Sequence, residues 1–159
     1  MSILNCFQSG TVVPDLASPD KYQAIGELIR RAPVFNCLPD RRAFEQSVLE
    51  RERLQSTGLG HGVAVAHGRN PGVERVLIAL GLSRAGIPFD SPDGEPVQLL
   101  FVIASPPSLS LDYLQALSSL VRCVRHQSLR ESLFAADEVS AIESRIRDAF
   151  CGAVERSPC

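Results

Sequence analysis

Between Ser56 and Arg69 the chain reads Ser-Thr-Gly-Leu-Gly-His-Gly-Val-Ala-Val-Ala-His-Gly-Arg. Three glycines in five residues make a turn, the alternating run Val63-Ala64-Val65-Ala66 makes a strand, and His67 is delivered to its end with Gly68 beside it. A histidine so placed is held yet reachable. Imidazole near neutral pH can move protons, bind metal or act as a nucleophile, so its presentation decides its chemistry. A strand-end histidine bonded into a loop is the ordinary alternative.

Arg51 is the cation nearest this turn in sequence. Its guanidinium stays charged at every relevant pH and offers five donors in a planar fork that matches phosphate. In the run Glu50-Arg51-Glu52-Arg53 it equally suits a solvated helix face. Ser56, Thr57 and the N–H groups around Gly58 can form an anion-cradling nest, or the glycines can simply make a tight turn. A Walker loop is excluded, because the Gly-x-x-x-x-Gly-Lys-Ser/Thr order is missing.

The segment Val48 to Gly68 resembles the active-site stretch of enzyme IIA domains of the bacterial phosphoenolpyruvate-dependent phosphotransferase system, fructose/mannitol class, with the nitrogen-regulatory branch most similar. The family pattern is an arginine, then Ser/Ala-Thr-Gly, then a strand ending in Pro-His-Gly. Phe89-Asp90-Ser91-Pro92-Asp93-Gly94-Glu95-Pro96-Val97-Gln98-Leu99-Leu100-Phe101-Val102 is similar to the family's following turn and strand, and Leu114-Gln115-Ala116-Leu117 to its "L-x-x-L" helix. The resemblance spans Leu16 to Phe150. It implies that His67 is the phospho-acceptor, through Nε2 with Nδ1 held by a backbone carbonyl, and that Arg51 stabilises the phosphoryl group. It also implies an HPr-like phosphocarrier as donor, and as recipient either a regulatory target protein or a separate IIB protein; no cofactor is needed. Two positions depart from the pattern: Ala66 replaces the usual proline, and Tyr113 stands where many members carry a second active-site histidine. A tyrosine hydroxyl can donate to phosphate but brings no positive charge. The expected function is a phosphoryl relay with regulatory output. The alternatives are a sugar-transport IIA component and a non-phosphorylated binding regulator on the same fold.

Elsewhere the chemistry-bearing residues are sparse. His61 and His67 would start roughly 20 Å apart if the chain between them is extended at about 3.3 Å per residue, which argues against a shared metal. His126 follows Arg122 and Arg125 near a helix end, where capping or solvation is the default. With 159 residues, a net charge of −2 and no basic block, the chain offers little to a nucleic-acid backbone. The cysteines Cys6, Cys37, Cys123, Cys151 and Cys159 are odd in number and scattered, the pattern of free thiols in a reducing compartment. Met1 to Val13 lacks the basic start and apolar core of a signal peptide, and no later run approaches a membrane span, so the expected place is the cytoplasm without direct membrane insertion.

The elements that must position His67 can be laid out from periodicity. A first helix starts at Ser18-Pro19, carries Tyr22, Ile25, Leu28/Ile29 and Ala32, and stops at Pro33. Asp40 caps a second, with Phe44, Val48 and Leu49, ending before Gly58 and holding Arg51 near the glycine turn. Strands are expected at Val63–Ala66, Val73–Leu80 and Val97–Ala104, the middle one buried on both faces. After Pro106-Pro107 a helix buries Leu111, Leu114, Leu117, Val121 and Val124, and helices over 128–135 and 137–150 follow, the last capped by Asp137. Strands interleaved with helices give an α/β (α+β) single domain with a mixed central sheet flanked by helices. Its expected bounds are residues 16–151, between an N-terminal segment 1–15 and a loose tail 152–159.

Overall fold

The computed structural model describes residues 7, 9–108 and 110–156. Five strands form one mixed sheet in the order β1-β4-β5-β3-β2: β1 Val12–Val13, β2 Gly58–Gly60, β3 Val63–Arg69, β4 Leu77–Ile87 and β5 Val97–Ser105. β3 lies parallel to β5, with His67 opposite Ile103, whereas β4 is antiparallel to β5 and β2 to β3. Period-two alternation sends the side chains of each strand to two different layers. Val63 and Val65 join the core beneath α3 (Ser110–Val124) and α5 (Val139–Glu155). Ala64 and Ala66 join the core beneath α1 (Lys21–Arg31) and α2 (Arg41–Leu54). α4 (Gln127–Ala135) packs on α5 and α3. The expected single-domain α/β architecture is the one found.

Several boundaries differ from the sequence expectation, each for a local reason. Asp20 caps α1, its Oδ1 accepting from the Gln23 N–H at 2.9 Å, while the Ser18 hydroxyl donates to Glu27. Helix α2 is capped by Asp40 as expected. The glycine turn is itself strand β2, closed by a tight bend in which His61 adopts φ 56° and Gly62 φ 78°. His67 therefore sits two residues before the last residue of β3, not at its end. The strand expected at Val73 starts at Leu77, because Asn70 first folds the chain, its side chain accepting from Gly72 N–H and its carbonyl from Val73 N–H. Leu77 to Ser83 is buried throughout, as a strand covered on both faces should be.

On α3 the buried face is displaced by one stripe. Ala116, Leu120, Cys123 and Val124 are buried, and Leu111, Leu114 and Val121 are exposed, at 80%, 56% and 36%. The helix is apolar on two sides, and the side with the small Ala116 can approach the sheet most closely. α5 begins at Val139 after Glu138, without a side-chain cap from Asp137. The expected loose tail from residue 152 is helical to Glu155, since buried Ala153 continues the stripe of Ile142, Ile146 and Phe150. At the other end, Val12 and Val13 pair with β4, so the 1–15 segment contributes to the sheet. Cys37 and Cys123 carry free thiols, and burial pushes the latter's pKa up to about 12; Cys6 and Cys159 lie outside the described residues.

One glycine sets the distance between sheet and helix. A Cβ on Gly68 would meet the Ser47 hydroxyl, and Val48 Cγ2 at 2.7 Å, both on α2. Gly68→Ala should thus cost about 1–3 kcal/mol by overpacking and push α2 off β3. Urea unfolding checks it: a loss under about 0.5 kcal/mol would mean that the contact gives way freely.

Candidate functional site

Because Gly68 lets α2 lie against β3, Arg51, one turn beyond Val48, comes beside His67. The Arg51 guanidinium is braced by donating to the carbonyl of Gln55, the α2 C-cap, at 2.9 Å. Across the ring, α3 presents Tyr113, whose ring centroid is 5.3 Å from that of His67 at an interplanar angle of 46°. Arg69, two residues along β3 and therefore on the same strand face as His67, adds a second positive field. The structure thus brings together His67, Arg51 and Tyr113 from three separate elements, with Arg69 as a fourth member.

Burial lowers the His67 pKa below its usual value, and the positive charges of Arg51 and Arg69 lower it further; the Val65 carbonyl and Glu52 pull the other way. The imidazole is therefore neutral at neutral pH and its lone pair is available. Of the ring nitrogens, Nδ1 is sealed from solvent. The Val65 carbonyl acts on the ring, but Nδ1 makes no hydrogen bond of ordinary geometry, so the expected carbonyl anchor is only an approach. Tyr113 is also shifted: burial raises its pKa, against the opposing pull of Arg51 and Arg69, which keeps the hydroxyl protonated as a donor.

The lowered His67 pKa has a measurable sign. Protonation is less favourable in the folded than in the unfolded chain, so the stability this supplies is present above about pH 6.5 and lost as pH falls through the folded midpoint. An NMR titration should place the His67 midpoint below 6.5, and Arg51→Gln should move it up without restoring the full value, because burial is the larger cause. A midpoint unchanged by the substitution would remove Arg51 from the site.

Ser56 and Thr57 are placed differently from the anion nest. The Ser56 hydroxyl donates to the Phe89 carbonyl and accepts from Gly58 N–H at 3.1 Å. The Thr57 hydroxyl donates to Glu52, as does its backbone N–H at 2.9 Å. Both hydroxyl protons are committed to shaping the loop. Gly58 permits a close backbone approach, since a Cβ there would strike Ser91. Glu52, 2% exposed, is the hub of this support: it also pairs with Lys21 at 3.2 Å, which in turn reaches Asp90 at 3.5 Å. A buried carboxylate is tolerable only with such a set of partners. Sequence reasoning missed both Glu52 and Arg69. Phe44, Val48 and Glu52 recur every four residues on the buried face of α2, and Arg69 follows His67 at the strand period; those were the available signals.

His61 lies on the bend before β3 and His67 well along the strand, six residues on, and His126 is the N-cap residue of α4. Among the described residues no group of three or more His, Cys, Asp or Glu side chains could hold a metal, and no helix is long and apolar enough to cross a membrane.

Fold and site together define a one-domain α/β protein that holds a half-buried histidine in the field of two arginines. Residues 5–149 match the family described as the phosphoenolpyruvate-dependent sugar phosphotransferase system, EIIA 2, and the chain belongs to that family. A nitrogen regulatory protein of Bradyrhizobium diazoefficiens is 33% identical over 144 residues, which is 91% of this chain and 94% of that protein. The fructose-specific EIIABC component of Bacillus subtilis is 32% identical over 142 residues, 89% of this chain but 22% of that longer protein. The crystal structure of nitrogen regulatory protein IIA-Ntr from Neisseria meningitidis superposes with a TM-score of 0.81 at 30% identity, covering 91% of this chain and 98% of that one. Enzyme IIA components are phosphotransferase-system proteins that carry phosphohistidine and pass phosphate from HPr-like carriers to IIB proteins.

Proposed function

We propose that this chain accepts a phosphoryl group on Nε2 of His67 from an HPr-like phosphocarrier, in the cytoplasm, and that its phosphorylation state has a regulatory output. The supporting observation is the convergence of Arg51, Arg69 and Tyr113 on an imidazole whose pKa is lowered. With the proton on buried Nδ1, the Nε2 lone pair attacks phosphorus; a P–N bond forms to His67 as the carrier's P–N bond breaks and its electron pair returns to the carrier's imidazole. Charge spreads over three equatorial oxygens, and Arg51, Arg69 and the Tyr113 hydroxyl are the donors set to receive it. Ser56, Thr57 and Gly58 serve by fixing the loop. No metal, nucleotide or cofactor enters this step.

The partners are proteins. Leu111 and Leu114, exposed on either side of Tyr113 in sequence, and Leu54, 83% exposed three residues beyond Arg51, supply apolar surface for docking beside the histidine. A regulatory output is favoured by the nitrogen regulatory relatives that this chain matches over nearly their whole length. The fructose-specific relative keeps open a second role, in which phosphate passes on to a separate IIB protein. Incubation with phosphoenolpyruvate, enzyme I and an HPr-like carrier tests the proposal: an acid-labile mass gain of one phosphoryl group is expected. No gain would leave a binding regulator on the same fold. Subsequent loss of that phosphate to a fructose-type IIB protein would assign the transport role.

Tyr113 modulates this chemistry. Tyr113→Phe should shorten the half-life of the phosphorylated form a few-fold, since one neutral hydrogen bond is worth about 0.5–1.5 kcal/mol. Tyr113→His should lengthen it, increasingly so as pH falls toward about 6 and the new imidazole gains charge. Half-lives measured from pH 6 to 8 decide; three superimposable profiles would mean that the hydroxyl does not touch the phosphoryl group.

A further inference from the structure

At the far end of β3 from His67, five residues away along the strand from Gly62, lies an open cavity of about 510 Å³. At about 3.3 Å per residue the two places are roughly 16 Å apart. Its walls hold Arg84 from β4, Arg130 from α4 and His61 from the β2–β3 bend; Leu99 and Phe134 form an apolar floor. The relay at His67 uses none of these residues.

Both guanidiniums are fixed but not neutralised. Arg84 donates through Nη2 to the Phe134 carbonyl at 3.0 Å and lies 5.4 Å from the centroid of the Phe134 ring. Arg130 donates through Nη1 to the Val124 carbonyl at 2.8 Å. Neither is within ion-pair distance of a carboxylate among the described residues. An arginine held by one backbone carbonyl keeps four N–H donors and its whole charge, and two of them lining one concavity are preorganised for an anion. The single lining carboxylate, Glu131, accepts from the Gln127 side-chain amide at 2.7 Å and keeps its own charge, but it forms an ion pair with neither guanidinium, so the two arginines leave the cavity wall with a net positive charge. Gln98 donates to the Arg84 carbonyl at 3.0 Å and keeps its own oxygen free to accept.

We propose that this cavity is a second ligand site, for a small phosphate monoester with a hydroxyl- or N–H-bearing organic body of about nucleotide size. Two guanidinium forks and an imidazole suit a dianion better than a single carboxylate. The remaining oxygens of Gln98 and Glu131 accept from the ligand's body, and the Phe134 and Leu99 floor takes its flat or apolar face. The volume admits a mononucleotide-sized molecule and is far larger than inorganic phosphate requires.

Calorimetric titration of the full chain with adenosine 5′-monophosphate, ribose 5-phosphate, inorganic phosphate and adenosine tests the site. Binding of at least one monoester below about 1 mM is expected, weakened about tenfold or more by Arg84→Gln and by Arg130→Gln. It should be unchanged in Arg51→Gln, which alters the His67 cluster instead. Amide shifts in the unsubstituted protein should fall at Gly62, Leu99 and Phe134, a readout that does not depend on any variant folding. Phosphorylation of Arg84→Gln at His67 should proceed at the normal rate, so the two sites fail or stand separately. No monoester binding up to 10-fold above that limit (about 10 mM), or shifts confined to His67 and Gly68 with loss in Arg51→Gln, would overturn the proposal. Inorganic phosphate binding as tightly as the monoesters would overturn its organic-body part, and adenosine binding as tightly would overturn its anion part.

Discussion

His67→Ala should take up no phosphate at all from the phosphorylated carrier, while the protein stays folded. The expectation of total loss follows from chemistry: the other imidazoles, His61 and His126, are on the bend before β3 and at the start of α4, away from Arg51 and Tyr113. Removing a covalent acceptor leaves no bond to form, whereas removing a supporting donor only raises a barrier. Stability should change by about 1 kcal/mol, because a half-buried ring packed on Tyr113 contributes some contact but little core. Intact-protein mass and circular dichroism on the same sample check both halves. Phosphate uptake by the folded variant would reassign the acceptor.

Arg51→Ala should slow transfer by about 10²–10³-fold, the usual effect of deleting one preorganised donor to transition-state charge. Arg51→Lys keeps the charge and loses the fork, and one charge-assisted hydrogen bond of about 1.5–3 kcal/mol corresponds to a loss of about 10- to 150-fold, smaller than that of Arg51→Ala. The ordering matters more than the sizes. Because the guanidinium is braced on the Gln55 carbonyl, the arginine is already aimed, and a lysine amine reaching the same place would have to be ordered first. Single-turnover rates with a phosphorylated carrier decide; equal rates for all three proteins would return Arg51 to an ordinary helix surface.

The site was legible where its chemistry is local in sequence. The Asp40-capped helix carrying Arg51 and the strand carrying His67 are found where the pattern puts them, since capping and strand alternation are short-range effects, although that strand runs two residues past His67 and the glycine turn is itself a short strand. That Arg51 and Tyr113 meet His67 is a tertiary fact, and only the family resemblance brought them together beforehand. The charge run Glu50-Arg51-Glu52-Arg53 reads as a solvated face, yet Glu52 is buried because Lys21 and the Thr57 N–H, both distant or irregular in sequence, satisfy it. The start of β4 was misplaced because Val73 and Val76 are apolar and buried without being in a strand; an Asn70 turn, invisible to hydropathy, holds them. On α3 two apolar stripes compete, and the packed one is chosen by how close a helix bearing Ala116 can come to the sheet. Edge strands β1 and β2, of two and three residues, are too short for any periodicity to show.

The measurement closest to the central claim is long-range ¹H–¹⁵N correlation of the imidazole resonances, recorded on the protein after phosphorylation by enzyme I and the carrier. It reports which ring, and which nitrogen of that ring, holds phosphorus. The account predicts a single phosphorylated residue, His67, with phosphorus on Nε2 and the proton on the buried Nδ1. Phosphorus on His61 or His126, or on Nδ1 of His67, would contradict it.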